Sequence, residues 1–155
     1  MQHELKKQLK HALVVVAVTG VCAAGATSQA YARDSVETFS IDAALKSEPG
    51  KVGDDVALYF AGQRHPSVVK TIGEFATNKK TNAFGKSDEA ACQHVFLSAV
   101  LELQERARKE GGNAVINIKS NYKNELHESA TDFTCGAGAV VAGVALKGDV
   151  VTLRK

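Results

Sequence analysis

The stretch from Ser87 to Gly112 limits what this chain can fold into more than any other. Ser87-Asp88-Glu89 offers a capping side chain and two acids for the positive end of a helix dipole. Cys92, Phe96, Ala99, Val100, Leu103 and Ala107 then recur at helical spacing. Glu102 with Arg106, and Glu105 with Lys109, form i,i+4 pairs in the favourable orientation. Gly111-Gly112 stops the run, because glycine tolerates the left-handed cap conformation. The spacing predicts a helix over Ser87 to Glu110 with one apolar stripe, and that stripe needs a layer to lie on.

Short β-prone segments can supply that layer. Val56 to Phe60 and Val68 to Thr77 read as strands on either side of a loop, Gln63 to Ser67, that holds His65-Pro66. Ala114 to Tyr122 alternates, which puts Ile116 and Ile118 on one face and Asn117 and Lys119 on the other. Tyr122 to Glu125 reads as a turn. Ser129 to Cys135 places Thr131, Phe133 and Cys135 together. Ala137 to Leu146 is a small-residue strand, followed by a turn at Lys147-Gly148-Asp149 into Val150 to Leu153. The expected fold is α+β: one long helix packed on a mainly antiparallel sheet of about four to five strands, a two-layer sandwich. Residues 53–155 form this single domain. Residues 33–52 read as an N-terminal arm with a helical turn over Ile41 to Lys46, ended by Glu48-Pro49-Gly50.

Residues 1–32 have the plan of a cleavable secretory signal peptide. Lys6, Lys7 and Lys10 precede an uncharged run from Ala12 to Ala24. As a helix that run spans about 20 Å, short of the roughly 30 Å hydrocarbon core. Ala30-Tyr31-Ala32 fits the small-x-small rule, so cleavage is expected between Ala32 and Arg33. Acylation at Cys22 would need a small residue directly before it and an aliphatic one three before, where Val21 and Thr19 stand. The expected product is periplasmic, with no stable membrane anchor after cleavage.

Removing Lys6, Lys7, Lys10 and Glu4 with the leader cancels the net charge of +2. A neutral chain lacks the basic excess of a nucleic-acid binder. Two cysteines remain, Cys92 and Cys135, 43 residues apart. In an oxidising compartment such a pair is read first as a disulfide, with two buried free thiols as the alternative. Cys92 lies on the apolar stripe and Cys135 on the face of Phe133, so a bridge across the helix–sheet interface is feasible.

Several motifs imitate known chemistry. Lys80 to Ser87 (KTNAFGKS) approaches a phosphate-binding loop, but Lys80 stands where the first glycine belongs, and Asp88-Glu89 would repel phosphate. Gly136-Ala137-Gly138 and Gly143 suggest a dinucleotide loop, yet the third glycine position is Val141 and the stretch continues as strand. His65, His94 and His127 are the candidate metal ligands. His94 lies about 200° around the helix from Cys92, so those two cannot share one ion. The chain has no G-x-S-x-G and no H-E-x-x-H, and no catalytic residue, metal site or cofactor is assigned.

The helix end Ala107-Arg108-Lys109-Glu110-Gly111-Gly112-Asn113-Ala114-Val115, followed by small-residue strands, resembles the YbjQ-like and RcsF-like superfamily over Ser87 to Leu146. Over Val56 to Leu153 the chain is similar to small secreted bacterial proteins often labelled an excinuclease ATPase subunit. That likeness rests on Phe75-Ala76-Thr77-Asn78-Lys79-Lys80-Thr81-Asn82-Ala83-Phe84-Gly85-Lys86-Ser87 and on Cys135-Gly136-Ala137-Gly138-Ala139. The superfamily resemblance implies a helix-on-sheet fold, a helix-to-strand disulfide through Cys92 and Cys135, and no catalysis. The excinuclease label implies ATP-driven DNA repair, against the export signal, the neutral charge and the broken phosphate loop. The chain also lacks the acylated cysteine and four-cysteine pattern of the RcsF-like stress-sensing lipoprotein.

The expected function is therefore non-enzymatic. It is contact with an envelope protein, in envelope maintenance or stress sensing, with binding of a metal or small ligand as the alternative. Mass spectrometry of the exported protein is expected to find Arg33 as its first residue; an acylated start at Cys22 would refute the cleavage site.

Overall fold

The computed structural model describes residues 34–155. The expected signal peptide, the cleavage site at Ala32 and Arg33, and Cys22 lie outside the described residues. The α+β class holds, but the architecture differs from a single helix on four or five antiparallel strands. Among the described residues there are two α-helices, a 3-10 turn at Tyr122–Asn124 and a six-stranded mixed sheet.

In chain order the elements are β1 (Asp34–Ser40), α1 (Ile41–Ser47), β2 (Ala57–Phe60), β3 (Val68–Asn82), α2 (Asp88–Glu110), β4 (Ala114–Ser120), β5 (Asp132–Gly138) and β6 (Val141–Leu153). Strand β6 is the spine. One edge of it pairs antiparallel with β3 along the whole length. The other edge pairs first with β5, through Gly136 opposite Gly143 and Ala137 opposite Ala142, and then with β4. β1 pairs antiparallel with β5, and β2 pairs parallel with β4.

Helix α2 follows its local signals. The Ser87 side chain accepts from the Ala90 amide at 3.2 Å. Gly111 at φ 78° and Gly112 turn the chain back, with their amides on the carbonyls of Arg108 and Ala107. Ala91, Cys92, Val95, Phe96, Ala99, Val100, Leu103 and Ala107 are buried against the sheet. Phe96 stacks on Phe133 with ring centres 4.1 Å apart, flanked by Phe60 and Phe39. The expected i,i+4 pair Glu102–Arg106 gives way to tertiary partners on β3. Glu102 accepts from the Thr77 hydroxyl and pairs with Lys79, while Arg106 lies over the Phe75 ring.

The Gly111-Gly112-Asn113 run joins helix to sheet. A Cβ on Gly112 would stand 2.6 Å from Val150 Cγ1 and 2.9 Å from the Val151 carbonyl. Asn113 then imitates a strand residue: its side chain accepts from the Leu153 amide and donates to the Leu153 carbonyl. Gln104 sits fully buried on α2 and donates to the carbonyls of Gly53 and Val56, which fastens the segment before β2.

Four expectations need correction. The segment read as an arm, residues 33–52, is from Asp34 on part of the domain: Asp34–Ser40 is a sheet strand, and the helical turn expected over Ile41 to Lys46 is present as helix Ile41–Ser47, with Ile41 and Ala44 in the core. Lys147-Gly148-Asp149 is no turn. β6 runs straight through it, since Gly148 lets Val115 and Ile118 approach its backbone, and the reversal falls instead at Ala139–Val140. Ile116 and Ile118 do not share a face. The ladder to β6 slips between Ile116 and Lys119, where Asn117 takes φ 52°, so Val115 and Ile118 join the core beneath α2 while Ile116 packs with Ala114, Val151 and Leu153. Strand β5 begins at Asp132 rather than Ser129, whose hydroxyl accepts from the amides of Thr131 and Asp132 in a turn.

Cys92 and Cys135 are both fully buried and meet at disulfide-bonding distance, with Cα atoms 5.9 Å apart. The bond ties α2 to β5, whose ladder to β6 is only two residue pairs long. Closing a loop of this length stabilises by about 4 kcal/mol on the chain-entropy estimate. The double variant Cys92→Ala/Cys135→Ala is expected to lose that amount in urea unfolding. Amide exchange in β1 and β5 should accelerate more than in β3; uniform acceleration would argue against the assigned role.

Candidate functional site

The three candidate histidines lie on three separate segments. His65, between β2 and β3, has Nδ1 2.8 Å from the Pro66 carbonyl and meets Tyr59 edge-on. His94, on the exposed side of α2, has Nδ1 2.8 Å from Glu48 Oε1, and the other Glu48 oxygen takes the Lys51 ammonium at 2.8 Å. Lys51 first, and then His94, hold the Glu48 carboxyl below its usual range. His127, between β4 and β5, exchanges backbone hydrogen bonds with Ser120. Among the described residues no three of His, Cys, Asp and Glu come together.

The phosphate-loop imitation takes a different form. Lys80 to Asn82 finish β3. Ala83 to Lys86 form a β-turn closed by the Lys86 amide on the Ala83 carbonyl, with Gly85 at φ 73° where this turn requires a positive angle. Ser87 then caps α2. The glycines read for a dinucleotide loop serve side-chain packing: a Cβ on Gly136 would overlap the Tyr122 hydroxyl, and the same ring lies against Gly143.

A concavity walled in part by apolar side chains lies between α1, β2 and the segment before β5, with a volume of about 320 Å³. Ile41, Leu45, Leu58 and Phe60 line it, with Ser40, Asp42, Gln63 and Thr131 at the rim. Its polar groups are already engaged. Gln63 accepts from the Phe60 amide and donates to the Ala130 carbonyl. Ser40 caps α1, and the Thr131 carbonyl takes the Ile41 amide. Asp42 is bound to Lys46. The cleft offers apolar area and few free donors.

A different feature stands at the end of the sheet where β5 turns into β6. Phe84 is 75% exposed, Val140 60% and Val141 47%. Phe84 and Val140 sit on two turns and Val141 opens β6, and the Ala83 amide ties the turns together by donating to the Val140 carbonyl at 2.7 Å. The Phe84 amide is also fixed, on Asn82 Oδ1 at 2.9 Å. With its backbone already held, Phe84 has only side-chain freedom to lose on binding, which suits the exposed ring to contact. Scattered exposed apolar side chains are ordinary; three gathered where two bonded turns meet the start of β6 are less so. From sequence, Phe84 disappeared into the phosphate-loop imitation and Val140-Val141 into an expected strand. The usable signal was an apolar residue inside Asn82-Ala83-Phe84-Gly85, a turn composition that gives it no core to enter.

Since these side chains contribute little burial, Phe84→Ser and Val140→Ser are expected to leave urea stability within about 0.5 kcal/mol. A larger loss would show that they serve the fold. No protein-family model matches this chain, and no curated protein matches it either.

Proposed function

We propose that this is a non-enzymatic periplasmic protein that acts by contact with another envelope protein, and that the Phe84–Val140–Val141 end is the contact surface. The observation that carries the reading is a contrast. The polar groups of the apolar-walled cleft are engaged in structural hydrogen bonds, whereas apolar side chains on hydrogen-bonded backbone at the sheet end face solvent. The signal-like residues 1–32, the cysteine pair and the resemblance to RcsF-like proteins support the envelope setting. The small-residue hairpin and the β-turn with Gly85 account for the glycines without nucleotide chemistry, so the excinuclease reading is not proposed.

A photo-crosslinking phenylalanine analogue placed at position 84 in the exported protein tests this. Adducts to a reproducible envelope protein are expected, and Val140→Asp should abolish them. The absence of adducts at 84, or an equal yield from the distant position 105, would defeat the proposal. The second reading is a small apolar ligand in the cleft walled by Ile41, Leu45, Leu58 and Phe60. Native mass spectrometry of the exported protein would then show a bound mass that Leu58→Trp removes.

A further inference from the structure

We infer that the free edge of β3 is a self-association site, at which a second copy of this chain adds its own β3 across a twofold axis to make one continuous sheet. This surface is separate from the apolar end, and it stands or falls independently of the contact proposed there.

The edge can be read from the ladder. In an antiparallel pair, residues alternate between those that bond to the partner and those whose N–H and C=O point away. Ala83 donates to Val140, so the odd-numbered positions of β3 face β6. On the far edge of β6 the Ala145 carbonyl accepts from the Asn121 amide, and Ala145 stands opposite Asn78. Asn78 therefore faces away from β6, together with Glu74, Ala76 and Lys80. Among the described residues no backbone bond reaches these four positions. Register slips occur only before Gly73, and from Gly73 to Asn82 pairing with β6 is unbroken. That half of the edge is regular and contains no proline.

Edge strands are usually guarded by bulges, proline or free charged side chains. Here the bulges lie at the other end, and two of the charges already have partners within the chain. Glu74 is held by Lys147 at 2.7 Å, and Lys79 is held over the helix side by Glu102. What remains is self-complementary. Antiparallel pairing centred on Thr77 sets Glu74 of each copy opposite Lys80 of the other, and Ala76 opposite Asn78. All four outward-pointing positions then become hydrogen-bonded pairs. Centring on Phe75 instead would oppose Lys70 and Lys80, two like charges.

The helices fit the same arrangement. α2 lies across both β3 and β6. A second β3 one strand spacing away would bring the second α2 to about two spacings, roughly 10 Å, which is the ordinary separation of packed helices. The side chains on that flank are Glu102, Glu105, Arg106 and Lys109, of both signs. Glu102 nearest the axis is already neutralised by Lys79.

Sedimentation velocity on the oxidised, exported protein tests the inference. A concentration-dependent dimer is expected in the micromolar range. Asn78→Pro removes an amide that no β6 residue uses, and should give a monomer with unchanged circular dichroism. Glu74→Lys and Lys80→Glu should each weaken the dimer about tenfold or more, and together restore it. A wild-type monomer throughout that range overturns the inference, whether or not the edge accepts an extended peptide from another protein. So does a dimer that survives Asn78→Pro, or a charge-swapped double variant no tighter than the single ones.

Discussion

One junction holds this fold together: the place where α2 meets β5. β5 and its neighbour β1 reach the rest of the sheet through only two ladder pairs, Gly136–Gly143 and Ala137–Ala142. Backbone pairing that short cannot by itself hold a two-stranded ribbon in place. The Cys92–Cys135 bond and the Phe96–Phe133 stack supply what the ladder lacks, and both reach down from the same turns of the helix. β1 also leads directly into α1, which caps the aromatic row, so the ribbon and the first helix depend on the same junction. A domain of this size has little stability to spare, and a covalent tie at its least-paired point falls where chain entropy would otherwise open it first.

The parts legible in the sequence were those where local signals and packing agree. Ser87, the apolar stripe and Gly111 define α2 without help from the rest of the chain, and its observed range differs from the expected one only at the cap. The cysteine pair could be placed because one member sat on that stripe and the other beside Phe133. β2 and the Tyr122–Asn124 turn were also placed by composition alone.

The rest depended on neighbours. Asp34-Ser35-Val36-Glu37-Thr38-Phe39-Ser40 carries only two large apolar residues, and its outer face is wet, so β1 exists because β5 offers it an edge. Gly148 resembles a turn residue until Val115 and Ile118 are seen packed against it. Asn117 resets the period of β4, and no alternation count survives an inserted residue of that kind. The pair Glu102–Arg106 on α2 was plausible for an isolated helix; Thr77, Lys79 and Phe75 of β3 compete for its charges, and Arg106 finds its i,i+4 partner in Glu110 instead. At the candidate site the same limit applied. Phe84 could be seen, but that nothing covers it could not.

The position of α2 links the stapled junction to the exposed edge. To bring Cys92 over β5 and Phe96 over Phe133, the helix must cross the sheet near its centre, above β6 and β3. It therefore covers the inner face and leaves the outer margin of β3 beyond its reach. Phe75, Thr77 and Lys79 turn their side chains toward the helix, while the backbone groups of Glu74, Ala76, Asn78 and Lys80 face away from β6. A helix placed one strand further out would hide that margin, but its apolar stripe would then overhang solvent and the sulfur bridge would be out of range. The tie that secures β5 thus fixes which strand is left open, and the proposed pairing of two copies uses the edge so exposed.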